Sequence, residues 1–289
     1  MSRIPRRFTA SSAMKTLPHY IGVSGVQTPK EADGAVQIFH RYGFVPGATH
    51  TNMIGVLTSP AVLSHGEPLH MTKKWRHAQD FRTLVETLNA TKGRGLPMVH
   101  LELPKPDSPD DPTAADSATV SIMLLRRLRD EGADPAIQLN GVLPAKDIVR
   151  IAEETGAAIV LQLRQELLRM GIDYILRYIA EARPGIAKIL IDASVGSGIA
   201  LHPDTAVYWQ NLLENYFGLD AFTYGHAGGL QESNTQGIVT AIAAQVGNAF
   251  STDIESGARR PSENTDTLDV SENGALERYV QAVRRAFSQ

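Results

Sequence analysis

Ala157-Ala158-Ile159-Val160-Leu161-Gln162-Leu163 is a nearly continuous apolar run of strand length. A strand wet on one face alternates apolar and polar residues, whereas a run apolar almost throughout is expected of a parallel strand covered on both faces. Parallel strands need helical crossovers, and Pro144 opens one just upstream, with Ile148, Ile151 and Ala152 on its apolar face. Working outward, the same alternation of a short β-prone run and a longer segment of helical period recurs along the whole chain. The strands are expected at 20–24, 53–57, 98–103, 136–140, 157–163, 187–192, 220–224 and 249–253. Helices are expected near Pro29, with Thr28 as cap, over 77–88, from Ala114, after Pro144 and over 274–287. No two neighbouring strands read as a hairpin. Eight βα units favour a closed (β/α)₈ barrel over an open sheet. Gly22 and Gly25 flank Ser24 without the third glycine of a dinucleotide fingerprint. The expected architecture is thus a single α/β domain over 1–289, a (β/α)₈ TIM barrel with a flexible basic tail over 1–18.

Composition limits what such a barrel can do. With 289 residues, 43% of them hydrophobic and 20% charged, the chain can bury one large core. Its net charge of −3 and lack of a Lys/Arg cluster speak against nucleic acid and anionic membranes. There is no cysteine, so disulfides, a Cys zinc site and a thiolate nucleophile are all excluded. No His-x-His or His-Glu-x-x-His spacing occurs, and neither a metal nor another cofactor is expected. No apolar run approaches the roughly 18 residues of a membrane span. The start of the chain carries Arg3, Arg6 and Arg7 without the apolar core of a secretory signal, so a cytoplasmic location is expected, an organellar transit segment being the alternative. The expected partner is a small phosphorylated substrate; a homodimer is compatible with the sequence.

Reactive groups in such barrels gather at the C-terminal strand ends, and the loops after strands seven and eight commonly hold phosphate. Gly225-His226-Ala227-Gly228-Gly229-Leu230 follows the seventh strand, its glycines allowing backbone N–H groups to approach an anion in front of a helix. Asp253-Ile254-Glu255-Ser256-Gly257 follows the eighth and supplies a hydroxyl and a further glycine. Asp192 leads from a buried sixth strand into a glycine-rich loop containing Gly196 and Gly198, where a general acid and a closing segment belong. The long stretch after strand two, 58–74, with His65 and His70, reads as a lid. Period two places His100 with Glu102, Gln138 with Asn140, and Gln162 with Arg164 on common faces, giving a polar mouth.

With these motifs in order, the chain resembles the phosphoribosylanthranilate isomerase family of the tryptophan pathway. That family opens with Lys-Ile-Cys-Gly and a Thr/Pro turn; Gly22 to Pro29 occupy the pattern here. The family's Val-Gln-Leu-His-Gly is similar to Ile137 to Gly141, its strand-six Asp and loop to Asp192 through Gly198, its Ala-Gly-Gly-Leu to Ala227 through Leu230, and its Asp-Val-Ser-Ser-Gly to Asp253 through Gly257. The resemblance implies a barrel performing an Amadori rearrangement of a phosphoribosyl substrate. Asp192 would be the acid and Gly196, Gly198, Gly228, Gly229, Ser256, Gly257 and Gln138 substrate- and phosphate-binding residues. Ser24 stands where the family's basic Cys is expected, and a serine hydroxyl is not ionised near pH 7 without a partner base. His226 and Asp253 are the candidate replacements. The arginine-bearing loop after strand two has no counterpart in 58–67, and Arg259 and Arg260 in the long eighth loop suggest a differently shaped pocket. Two alternatives follow: another isomerase, lyase or aldolase acting on a phosphorylated metabolite, and a non-catalytic protein that binds one.

Overall fold

The computed structural model describes residues 16–59, 62, 78–103, 116–192, 201–261 and 266–289. Eight parallel strands close into a barrel in sequence order, β1 (Tyr20–Ser24), β2 (Thr51–Thr58), β3 (Leu96–Glu102), β4 (Ala136–Asn140), β5 (Ile159–Arg164), β6 (Ile186–Asp192), β7 (Thr223–Ala227) and β8 (Ser251–Ile254). Closure is made by β1, which pairs with β2 on one side and with β8 on the other. The helices α1 (Pro29–Arg41), α2 (Phe81–Thr91), α3 (Ser117–Asp130), α4 (Ala145–Thr155), α5 (Ile172–Ala182), α6 (Pro203–Phe217), α7 (Glu232–Val246) and α8 (Ala275–Ala286) alternate with them. The chain is therefore a (β/α)₈ TIM barrel.

Local chemistry explains the elements. Thr28 accepts the Glu31 N–H at 3.2 Å and Pro29 occupies the first helical position, so α1 begins where a missing N–H costs nothing. Asp80 caps α2 and Asp116 caps α3, each accepting the amide three residues on. Strand residues pointing outward, such as Val99, Ile137, Leu161 and Ile189, pack with the inward faces of α2 to α5. Between α1, α7, α8 and the strands near the closure a second cluster holds Ile21, Phe39, Ile54, Phe250 and Tyr279. First and last helices are joined by Glu277, almost wholly buried, which accepts from Arg41 Nη1 at 2.5 Å, Tyr42 Oη at 2.9 Å and the Asn273 amide at 2.7 Å.

Inside the barrel, Tyr20, Met53, Met98, Val160 and Leu190 form an apolar floor. Lys188 reaches across it, its Nζ donating to Ser251 Oγ at 2.9 Å and lying 5.4 Å from the Tyr20 ring centre. Burial lowers the Lys188 pKa to about 7. The amine belongs to the floor, and it does not line the pocket at the C-terminal end.

Two expectations are corrected. A hairpin does occur: β9 (Arg259–Pro261) and β10 (Asp266–Leu268) pair antiparallel within the eighth loop. Strands of three residues, Arg-Arg-Pro and Asp-Thr-Leu, are too short and too polar to show a period of two. The seventh strand ends at Ala227, three residues beyond the expected end. The expected lid over 58–74, all of it past Ser59 except Val62, lies outside the described residues, as do Gly196, Gly198 and the tail before Thr16.

Candidate active site

The C-terminal ends of the strands enclose a cavity of about 700 Å³. Its wall carries the expected pairs His100 and Glu102, Gln138 and Asn140, Gln162 and Arg164, together with Ser24, Asp192 and Asp253. Because side chains alternate along a strand, residues two apart on β3, β4 and β5 rise one above the other on the inner face, as their spacing requires.

On the β1/β8 side Ser24 and Asp253 meet. Ser24 Oγ donates to Asp253 Oδ2 at 2.9 Å, and His100 Nε2 lies 3.5 Å from the same hydroxyl. With its proton given to Asp253, the Ser24 hydroxyl can accept from His100 in the tautomer that carries the ring proton on Nε2. All three groups are buried, Asp253 with 6% exposure. Burial raises the Asp253 pKa to about 7; the Ser24 hydrogen bond opposes the shift, and the charges of Asp192 and Glu255 add to it. Burial lowers the His100 pKa to about 4, against the attraction of Glu255, so its ring is neutral at pH 7. Asp253 is thus a carboxyl poised to exchange a proton near neutrality.

Asp192 ends β6 on the facing wall. Its Oδ2 accepts from Gln162 Nε2 at 2.8 Å, and Gln138 Nε2 in turn donates to Gln162 Oε1 at 3.3 Å. The two carboxyls are near enough for the charge of one to raise the pKa of the other, the relation from which separate acid and base roles arise.

The glycine loops form a third side. Gly228 and Gly229 adopt φ of +110° and +60°, a turn that L side chains rarely enter, and both line the cavity with Ser256 and Gly257. A Cβ on Gly257 would run into the Leu230 carbonyl oxygen, so only glycine lets loops seven and eight come together. Asn234 fixes the turn: its Oδ1 accepts the Gln231 amide at 2.8 Å and its Nδ2 donates to the Gly229 carbonyl at 2.9 Å. The carbonyls of Gly228 and Gly229 are used within the protein, by Leu201 N–H and Asn234. Among the described residues the Gly229 and Gly257 amides donate to no other backbone group outside the regular elements. The positive end of α7 faces the same space, since Gln231, Glu232 and Ser233 also line it.

Charge at this end is mixed. Arg278, at the start of α8, pairs with Glu232 at 2.5 Å, both about half exposed. Arg259 is buried with its guanidinium against the Gly25 carbonyl, so it braces the first loop from the eighth. Sequence reading pointed to Arg259 only as a residue shaping the pocket and missed Arg278, Glu232 and Asn234, since polar residues on a helical first turn look alike whether they face a cavity or solvent.

His226 is corrected as a candidate base. With β7 extended to Ala227, alternation turns Gly225 and Ala227 inward and His226 outward. Its Nε2 is hydrogen-bonded to Gln210 Oε1 on α6 at 2.8 Å and its ring packs on Phe250. Burial, with a smaller contribution from Lys188, lowers its pKa to about 3. The ring belongs to the strand–helix interface and does not reach the cavity.

Neither a family model nor a curated protein matches the sequence. Among solved structures, the chain is similar to N-(5′-phosphoribosyl)anthranilate isomerase from Pyrococcus furiosus, with 13% identity, 92% of this chain and 99% of that one covered, and a TM-score of 0.57. It is also similar to phosphoribosyl anthranilate isomerase from Thermococcus kodakaraensis, with 15% identity, coverage of 93% and 98%, and a TM-score of 0.54. At such identities the likeness establishes that this chain shares their barrel fold.

Proposed function

We propose that the chain is a phosphosugar isomerase of the phosphoribosylanthranilate isomerase type, with Asp192 as general acid and Asp253, held by Ser24, as general base. The observation that carries the reading is the pair of facing carboxyls beside the glycine loops, one of them with its pKa raised to about 7. The phosphate sits against loops seven and eight, on the amides of Gly229 and Gly257. Asp192 gives its proton to the ribose ring oxygen, the bond from that oxygen to C1′ breaks, and the nitrogen lone pair closes a protonated Schiff base. Asp253 then takes the C2′ proton, leaving an enolamine that tautomerises to the ketone. Ser24 is not ionised in this scheme; its hydroxyl orients the Asp253 carboxylate, while neutral His100 donates to Ser24 and holds it in that direction. The base that a missing thiol left open is supplied from β8.

Loss of fluorescence on incubating the purified chain with phosphoribosylanthranilate is the test. Consumption is expected, rising with pH through about 7 as Asp253 ionises, and falling by roughly 10²–10⁴-fold in Asp192→Asn and in Asp253→Asn. No consumption at high enzyme concentration overturns the named reaction. Turnover of another phosphorylated substrate that still requires both carboxyls would assign the site to a different isomerase, lyase or aldolase.

A further inference from the structure

Gln138 is 3% exposed, lines the cavity, and its Oε1 has no hydrogen-bond partner among the described residues. A buried acceptor left unpaired costs free energy, and the orientation of this one is not free. The three side chains Gln138, Gln162 and Asp192 form a chain of fixed polarity across β4, β5 and β6. Asp192 Oδ2 accepts from Gln162 Nε2, the proton that Asp192 delivers in the proposed reaction being carried on its other oxygen, so Gln162 turns its Oε1 toward β4. That oxygen can only accept, so Gln138 must present its Nε2 to it. The Gln138 carbonyl oxygen is thereby forced to face the remaining direction. Turning the amide of Gln138 over would set two carbonyl oxygens against each other at about the 3.3 Å that now separates donor from acceptor. In the adjacent pair Arg164 Nη1 donates to Asn140 Oδ1 at 2.5 Å, and neither side chain is hydrogen-bonded to Gln138 Oε1.

We propose that Gln138 Oε1 is a subsite for a hydroxyl or N–H donor on the ligand, its polarity set from Asp192 through Gln162, so that the pocket selects a hydroxyl-bearing phosphate ester over a plain alkyl one. The proposal rests on the reading of this pocket as a phosphorylated-ligand site and adds what the rest of the ligand must carry. Gln138 touches the ligand, and Gln162 is a positioning residue that acts through it.

Calorimetric titration of the full chain with ribose 5-phosphate, butyl phosphate and free ribose tests it. The native protein is expected to bind ribose 5-phosphate about tenfold more tightly than butyl phosphate, the worth of satisfying one buried acceptor. In Gln138→Met, which keeps the length and removes both polar atoms, that preference is expected to fall to about twofold or less. Gln162→Met, which frees the Gln138 amide to turn over, is expected to reduce it in part. An undiminished preference in a folded Gln138→Met overturns the proposal and leaves the phosphate reading intact. If no phosphate ester binds but free ribose does, more weakly in Gln138→Met, the phosphate reading falls and the acceptor stands. If ribose binds in neither form, both fall. Should Gln138→Met not fold, the native chain decides alone: equal affinity for ribose 5-phosphate and butyl phosphate overturns the proposal.

Discussion

A carboxyl sealed from water holds its proton longer than one in solution, and Asp253 does so beside two further acids, Asp192 and Glu255. Its pKa of about 7 in the folded chain lies above the ordinary 3.8, so folding favours the protonated form. The associated stability is complete below pH 4 and is lost as the pH rises through about 7. Asp253→Asn is therefore expected to stabilise the protein at pH 8, by at most about 4 kcal/mol, and by clearly less at pH 5, while abolishing proton abstraction. Asparagine still offers an oxygen to the Ser24 hydroxyl, so the neighbouring hydrogen bond survives. Urea midpoints at the two pH values check this, and a gap that does not widen between pH 5 and pH 8 contradicts it. A gap that widens marks Asp253 as a residue whose stability cost is tolerated for its chemistry.

At the scale of elements, what positions the loops is as important as the loops themselves. Asn234 sits in the first turn of α7 and ties the Gln231 amide to the Gly229 carbonyl, so one side chain both caps a helix and sets a glycine turn. Asn234→Ala is expected to cost about 1–2 kcal/mol in urea unfolding, the usual worth of a cap, and to weaken phosphate binding as the turn loosens; unchanged phosphate affinity would show that the turn is held by other contacts. Such a role was not legible in the sequence, where Asn234 is one polar residue among several in Gln-Glu-Ser-Asn-Thr. Strand identity was far more legible. β1 and β4 have the expected bounds of 20–24 and 136–140, because apolar runs stop at a glycine turn in each case. β7 was misplaced by three residues because Ala221 and Phe222 are apolar but precede the strand, while the strand itself, Thr-Tyr-Gly-His-Ala, is mixed. That shift takes His226 out of the loop and into the strand, where its side chain faces outward and away from the pocket. The polar pairs on β3, β4 and β5 were readable because period two alone decides their side. The partners they choose were not, since hydrogen bonds such as Ser24 to Asp253 span 229 residues of sequence.

The whole molecule separates stability from chemistry along the barrel axis. Its floor is apolar apart from Lys188 and Ser251, and its helices are locked to one another by buried contacts such as Glu277 with Arg41 and Tyr42. The opposite end gathers carboxyls, amides and two glycine turns around one cavity, contributed by every strand of the barrel. A rigid cylinder with exchangeable loops allows this division, and it is why Ser24 and Asp253 from the first and last strands can act as a unit. The proposed function requires loops seven and eight to hold a phosphate group within one sugar length of the two acids. A crystal of the native chain soaked in phosphate is the decisive test. Density bridging Gly229 and Gly257 is expected, with Asp192 and Asp253 facing the space beside it; a cavity free of anion at millimolar phosphate, or an anion held elsewhere, would contradict a phosphate site there.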